Sequence, residues 1–147
     1  MDEYNKALKL HQEFGNSQEV YDLLEQAAEQ GDDRARYAIA SWHLNGNEYI
    51  EKNVEKGFEL MCKLKGSFIA EAHYDLAVSY DLGLDTKKNE KKAFRHYLIG
   101  ALLGEEDSLD QISQYFDSAE YVPEDQFLAK FIKKLSKRGE SARTNLK

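Results

Sequence analysis

The chain has 147 residues, a length that suits one domain with its own hydrophobic core. Hydrophobic residues make up 41% and charged residues 32%, and there is a single proline, so we expect a folded chain without a disordered linker. The net charge of −7 argues against general binding to nucleic acid or to an anionic membrane, because either partner requires a basic surface.

The cysteine content and the N-terminal residues predict a reducing compartment. Cys62 is the only cysteine, so no disulfide can form within the chain. The N-terminus is acidic and no apolar run follows it, unlike a secretory signal. No stretch approaches the roughly 20 apolar residues that a membrane span requires. We therefore expect a cytoplasmic protein that does not enter a membrane.

Apolar residues recur with helical spacing along almost the whole chain, and no β-branched run alternates over the length of a strand. This pattern predicts eight helices in four pairs, at residues 2–14, 17–30, 32–45, 53–65, 69–82, 89–103, 106–118 and 124–138. Ser17 and Asn89 are residues that favour helix N-caps, and Gly46, Gly83 and Gly104 suit left-handed helix ends.

A pattern of alanine, aliphatic, small, aromatic and turn-glycine residues returns every 36 or 37 residues. Its complete copy consists of Ala72, Leu76, Ala77, Tyr80 and Gly83. An earlier copy consists of Ala35, Ile39, Ala40, His43 and Gly46, and a worn copy of Ser108, Ile112, Ser113, Phe116 and Ala119. A period of this length is typical of a solenoid of helix pairs, in which each unit buries its apolar face against its neighbours.

The offsets within the pattern indicate one packing face. At about 100° per residue, positions 0, +4, +5 and +8 fall within an arc of roughly 140°. Small residues at positions 0 and +5 allow a neighbouring helix to approach, and the larger residues fill the space between them. The alternative is an ordinary helical bundle with accidental internal similarity.

Three runs of residues resemble the Sel-one-like repeat (SLR) family, whose members are α/α-solenoid relatives of tetratricopeptide repeats. These runs are Ala-Ala-Glu-Gln-Gly-Asp at 27–32, the glycine-terminated helix at 72–83, and Lys-Ala-Phe-Arg-His-Tyr at 92–97. The resemblance implies an all-α fold, a right-handed superhelical solenoid of about four helix pairs. The chain departs from the family at His43, which replaces the usual aromatic residue, and at Asn53 and Asn89, where aspartate is common.

The resemblance also predicts how the single repeat domain, residues 1–147, is divided. We expect an N-terminal helix pair at 1–30, repeat 1 at 31–67, repeat 2 at 68–104, a degenerate capping repeat at 105–140 and a tail at 141–147. A worn terminal unit suits a solenoid, because its outer face meets water instead of another unit.

The same resemblance implies that the first helix of each pair lines a concave side, where residues opposite the packing arc can contact a ligand. These residues are Arg34, Tyr37, Ser41 and Asn45 in the first unit, Glu71, Tyr74, Asp75, Val78 and Asp81 in the second, and Asp107, Asp110, Gln111, Gln114 and Asp117 in the third. Six of them are carboxylates and one is an arginine. We hypothesise that this face binds a basic protein surface. Alternatively, its acids only keep the helices soluble.

The residue types that catalyse reactions or bind metals do not form a known motif. His11, His43, His73 and His96 include no pair at i,i+4, and both His43 and His96 fall at packing positions. Cys62 lies among apolar residues of a predicted second helix, which favours a buried, unreactive thiol. We find no phosphate-binding loop, nucleophile elbow or zinc signature, so we expect no metal, cofactor or catalysis.

These observations predict a non-catalytic module that binds a protein partner through an acidic concave face. The family resemblance implies an adaptor or scaffold of bacterial origin. One alternative is a dedicated immunity protein that neutralises a basic toxin or effector, and a hydrolase-type enzyme is another. We expect a monomer or a weak dimer, because a short solenoid leaves two partly apolar ends.

Overall fold

The computed structural model describes residues 1–117 together with Phe127 and Phe131. The described part contains seven α-helices: α1 Glu3–Phe14, α2 Gln18–Glu29, α3 Asp33–Asn45, α4 Val54–Cys62, α5 Ala70–Leu82, α6 Glu90–Leu102 and α7 Glu106–Asp117. No strand occurs among these residues, so the chain is an all-α solenoid, as predicted. The predicted helix at 124–138 and the tail lie outside the described residues, apart from the two phenylalanines, which are both helical.

Helix starts follow the local capping chemistry. Asp2, Ser17, Asp32, Asn53 and Asn89 each accept a hydrogen bond from a backbone N–H in the first turn of the helix that follows. These bonds satisfy donors that have no partner within the helix. Both asparagines that replace the family's aspartate therefore cap their helices. None of the seven helices in the described ranges is long and apolar enough to cross a membrane.

Helix α4 is shorter than the predicted helix at 53–65, and this correction has a local cause. After Cys62 the backbone turns with hydrogen bonds to the third residue back, from Leu64 N to Met61 O at 2.9 Å and from Lys65 N to Cys62 O at 3.3 Å. This tighter pattern takes up carbonyl groups that the helix end leaves open. Leu64 is fully buried in this turn. Its apolar side chain therefore continues the helical spacing of buried residues, which is why the sequence predicts a helix as far as residue 65.

Buried side chains form a row of clusters along the solenoid. Each of the first three clusters joins one helix pair to the helix that follows it, and the two alanines of one repeat unit belong to different clusters. Ala35 packs with residues of α1 and α2, whereas Ala40 packs with residues of α4 and α5. Ala72 and Ala77 divide between the second and third clusters in the same way. All four alanines are 0% exposed, which agrees with the packing face that the repeat predicts.

Two glycines let helices approach where a side chain would collide. A Cβ atom on Gly57 in α4 would lie 2.6 Å from Cγ and 2.8 Å from the backbone nitrogen of Leu44 in α3. A Cβ atom on Gly100 in α6 would lie 2.5 Å from Oγ of Ser108, the residue that replaces the leading alanine in the worn repeat. Helix packing at these two points therefore requires the absence of a side chain.

Two histidines that are distant in the sequence form a buried pair between α5 and α6. Nδ1 of His73 lies 2.9 Å from Nδ1 of His96, and Nε2 of His73 donates to the carbonyl oxygen of Ser67 at 2.7 Å. Since Nε2 of neutral His73 carries the proton, its Nδ1 accepts one from Nδ1 of His96. Phe131 packs edge-on against His73 with ring centroids 5.3 Å apart. Both histidines are thus core residues. They are 23 positions apart in the sequence, so no short sequence motif indicates that they pair.

Burial lowers the pKa of His73, although its bond to Ser67 opposes the shift. The unfolded chain therefore takes up a proton at His73 below about pH 6.5, while the folded chain resists it. We expect the contribution of His73 to the free energy of unfolding to fall as the pH drops from about 7.5 to 5.5, so the wild type should lose more stability, or gain less, over this range than His73→Gln does. Urea denaturation at both pH values measures the slope. The exposed His11→Gln is the control, and an unchanged slope in His73→Gln would contradict the prediction.

Candidate functional site

Helices α1, α3 and α5, the first members of the three described helix pairs, lie together with α7 along one surface, which we call the first-helix face. Side chains meet in the three gaps between neighbouring helices of this face. Six of the fourteen residues that the sequence predicts as partner contacts belong to these gaps: Arg34, Tyr37, Glu71, Tyr74, Asp75 and Asp107. The gaps differ in charge and polarity.

In the gap between α1 and α3, Arg34 binds residues of its own chain. Its guanidinium lies 4.2 Å from the ring centroid of Tyr4 and its Nη2 lies 3.5 Å from a carboxylate oxygen of Asp2. It also pairs with Asp32, the N-cap of α3. Arg34 therefore fixes α1 against α3, and the one cation among the predicted contacts lies at the N-terminal end of the face.

In the gap between α3 and α5, the hydroxyl of Tyr37 donates to Oδ2 of Asp75 at 3.1 Å. Both side chains are half-buried. Burial raises the pKa of Asp75 to about 6, the bond from Tyr37 works in the opposite direction, and the charges of Glu105 and Glu71 raise it further. The same burial and the charge of Asp75 raise the pKa of Tyr37. This carboxylate is thus held near other negative charges in a place that disfavours its ionised form.

In the gap between α5 and α7, Tyr74 lies in the field of several acids. Its pKa is raised by burial first, and then by the charges of Asp107, Glu105 and Asp75. Four carboxylates act through their charge on Tyr37 or Tyr74, and we call them the acidic cluster: Glu71, Asp75, Glu105 and Asp107. Tyr37 and Tyr74 border it. Exposed Asp110 and Gln114 and half-buried Gln111 lie farther along α7.

Several predicted contacts bind or pack within the protein itself. Asn45 donates from Nδ2 to the carbonyl oxygen of Ser41 at 3.0 Å. Val78 packs against the third buried cluster, and Asp81 accepts a hydrogen bond from Tyr97 at 3.2 Å. The side chain of the last predicted contact, Asp117, lies outside the described residues.

Sequence reasoning missed Glu105, whose charge acts on Tyr37, Tyr74 and Asp75. Glu105 precedes α7, and its Oε1 accepts a hydrogen bond from the backbone N–H of Asp107 at 3.2 Å. The sequence does carry a signal that indicates the position of Glu105: it is an acid just before a predicted helix, where a carboxylate commonly caps the helix. Capping turns this side chain toward the gap between α5 and α7.

The groups with potential chemical reactivity are occupied in packing. Cys62 is half-buried, and burial raises the pKa of its thiol, which disfavours the reactive thiolate. His43 is buried, and its Nε2 lies 3.3 Å from the hydroxyl of Tyr21. Across the described ranges, no three His, Cys, Asp or Glu side chains are grouped in a way that could hold a metal ion.

A cleft of about 410 Å³ is lined by residues of α2, α3 and α4. Its apolar wall includes Ile39 and Leu60, and its charged residues are Glu29, Arg36 and Lys63. Arg36 pairs with Asp33 at 2.9 Å, so part of this charge is already balanced. The charged residues of this cleft thus include both an acid and bases, whereas the acidic cluster contains only acids.

The Sel1 repeat family model matches this chain at residues 21–32, 33–64 and 70–105. Among curated protein sequences, none matches the chain significantly.

Two solved structures share the fold. A Sel1 repeat protein from Oxalobacter formigenes is 19% identical, with a TM-score of 0.67 over 93% of this chain. A protective antigen of uropathogenic Escherichia coli strains, which displays an SLR fold, is 21% identical, with a TM-score of 0.64 over 93% of this chain. The matched regions span only 57% and 30% of those two proteins, so the similarity establishes the architecture alone.

Proposed function

Because this chain belongs to the Sel1 repeat family, whose members generally mediate protein–protein interactions, we propose that it binds a protein with a basic surface through its first-helix face. The partner's lysine or arginine side chains contact the acidic cluster, and Tyr37 and Tyr74 supply aromatic contacts at its border. Aromatic residues are frequent energetic centres of protein interfaces, and charge complementarity speeds association.

The observation that carries this proposal is the environment of Asp75. Acids that only keep a helix soluble are exposed, whereas Asp75 is half-buried and its pKa is about 6 because of burial and neighbouring acids. Ionised Asp75 therefore costs folding free energy without improving solubility. A cation from a partner would relieve that cost. Shifted pKa values of this kind are concentrated at functional sites.

The test is affinity capture from the source cell, followed by mass spectrometry of the bound proteins. We expect a face variant, with Glu71, Asp107 and Asp110 changed to lysine, to lose the partner that the wild type captures. A charge-matched control changes three exposed acids on α2, α4 and α6 to lysine: Glu25, Glu59 and Glu90. It should retain the partner with about the wild-type affinity. Equal capture by the face variant and the wild type would reject this function.

A dedicated inhibitor of a basic protein is the second candidate, and the acidic cluster on rigid helices favours it. An inhibitor forms a one-to-one complex with one partner and suppresses its activity, whereas an adaptor recovers several partners. To separate these roles, this protein is expressed together with the captured partner, and cell growth is measured. An inhibitor should rescue the growth of cells that express the partner. Absence of rescue, together with several captured proteins, would favour the adaptor.

A further inference from the structure

The chain covers one surface of its own repeat array with two aromatic side chains. Phe131 is buried, lies edge-on to His73 with ring centroids 5.3 Å apart, and belongs to the same buried cluster as Ile99. The ring centroid of Phe127 lies 6.1 Å from that of His96. His73 is on α5, and both His96 and Ile99 are on α6. Two helical phenylalanines, four positions apart, therefore pack on a surface that α5 and α6 form together.

The repeat register identifies the corresponding surface in the preceding unit. Helices α3 and α5 have 13 residues each and start 37 positions apart, and the asparagine N-caps of α4 and α6 lie 36 positions apart. In this register, the counterparts of His73, His96 and Ile99 are Arg36, Leu60 and Lys63. Because the units of a solenoid repeat one geometry, we expect these three side chains to form a surface like the one that the phenylalanines cover.

The structure has a cleft at that surface. All three counterparts line the cleft of about 410 Å³, and Ile39 of α3 and Ala28 and Glu29 of α2 complete its lining. Clefts that bind ligands have volumes of about 300–1,000 Å³, so this one has room for a pair of aromatic rings. Ile39 and Leu60 give it an apolar wall on which such rings can pack. The cleft is therefore the counterpart, one repeat earlier, of the surface that the two phenylalanines cover.

Charge distinguishes the cleft from its counterpart. Two cations, Arg36 and Lys63, stand where the later unit has a histidine and an isoleucine, and they outnumber the one acid in the lining, Glu29. Arg36 is bound to Asp33 at 2.9 Å. Lys63 is exposed, and its Nζ lies 3.9 Å from a carboxylate oxygen of Glu59, a long contact between exposed groups that contributes little. Lys63 is therefore the cation that a carboxylate of a bound partner can contact.

We propose that this cleft is a second docking site, which binds an acidic helix of a partner protein through two aromatic residues four positions apart. The aromatic rings pack on Ile39 and Leu60, as the two phenylalanines of this chain pack on the following unit. A carboxylate one turn beyond the second ring contacts Lys63. No residue of the cleft belongs to the acidic cluster, and the site prefers the opposite charge, so this inference goes beyond the proposed function.

The experiment uses the full chain and four dye-labelled synthetic peptides. The first is a helical peptide of alanine and glutamine that carries two phenylalanines four positions apart and, four positions later, a glutamate. The second has alanine in place of both phenylalanines, and the third has lysine in place of the glutamate. The fourth has the sequence of residues 123–138 of this chain. Fluorescence anisotropy measures binding at low ionic strength, where charge pairs are least screened.

We expect the first peptide to bind about tenfold more tightly than the second, because burial of phenylalanine stabilises the complex, and about tenfold more tightly than the third. The variant Lys63→Glu should weaken binding of the first peptide about tenfold. Lys65→Glu is its charge-matched control, since Lys65 is exposed in the same turn and does not line the cleft.

A second variant blocks the cleft. Ala28→Phe places a ring in it and should abolish binding of the first peptide, whereas Gln26→Phe, at an exposed position of α2 outside the cleft, should leave binding unchanged. Circular dichroism establishes that each variant is folded. If Ala28→Phe does not fold, the comparison of Lys63→Glu with Lys65→Glu decides.

Three results would overturn the proposal. Equal affinity for the first and second peptides would remove the aromatic anchors. Unchanged binding by Lys63→Glu, or by a folded Ala28→Phe, would place the peptide elsewhere on the protein. Tighter binding of the fourth peptide than of the first would assign the cleft to a second copy of this chain in place of an acidic partner.

Discussion

Replacing Gly57 with alanine will lower the free energy of unfolding by about 1–3 kcal/mol, which is the usual cost of overpacking a core. The new Cβ would lie 2.6 Å from Cγ of Leu44, and relief by a rotamer change is blocked because the backbone nitrogen of the same residue is only 2.8 Å away. Helices α3 and α4 must therefore separate. An isolated helix would respond in the opposite way, since alanine favours a helix by about 1 kcal/mol over glycine.

The control for this prediction is Gly66→Ala. A Cβ atom there meets nothing within 4 Å, so the expected change is within about 0.5 kcal/mol. Urea denaturation followed by circular dichroism measures both variants. If Gly57→Ala proved as stable as the wild type, the close contact between α3 and α4 would be disproved.

Replacing Asp75 with asparagine will have opposite effects on stability and on binding. The folded-state pKa of about 6 lies above the ordinary value, so stability falls as the pH rises between these values, and the full cost is present above pH 6. Discounting the shift for partial exposure, we expect the substitution to stabilise the protein by about 1–2 kcal/mol at about pH 7.5. The gain should vanish near about pH 4, where Asp75 is already protonated. Binding of a basic partner should weaken about tenfold.

Denaturation at the two pH values and a titration with the captured partner measure these effects. The matched control is Asp110→Asn on α7, where the carboxylate is exposed and no stabilisation is expected. Destabilisation of Asp75→Asn by the same amount at both pH values would show that the bond to Tyr37 outweighs the cost of ionisation. Asp75 would then be a structural residue, and the proposal would lose its main support.

The candidate site was only partly predictable from the sequence. Helical-wheel angles place Tyr37, Tyr74 and Asp75 away from the packing arc, and the structure does bring these side chains together. The angles did not indicate that Arg34 would bind Asp2 and Tyr4, because that contact depends on where α1 lies. Side chains opposite a packing face are exposed only if no neighbouring helix covers them.

The histidines illustrate the same limit. Helical spacing correctly places His43 and His96 in the core, because burial of one side of a helix follows from its own periodicity. The contact of His96 with His73 joins residues 23 positions apart on two helices. No i,i+4 pattern encodes it, and it arises because α5 and α6 pack closely enough for the rings to stack with centroids 5.2 Å apart.

By itself, the sequence determined the helices, their caps and the alanines that pack between units, because each of these depends on residues close together in the chain. The tertiary structure alone decided the bond between Tyr37 and Asp75, 38 positions apart, and the approach of Glu105 to both. It also decided the cleft at Arg36 and Leu60. These features depend on distances and angles between helices, and such distances are set by the packing of whole units against one another.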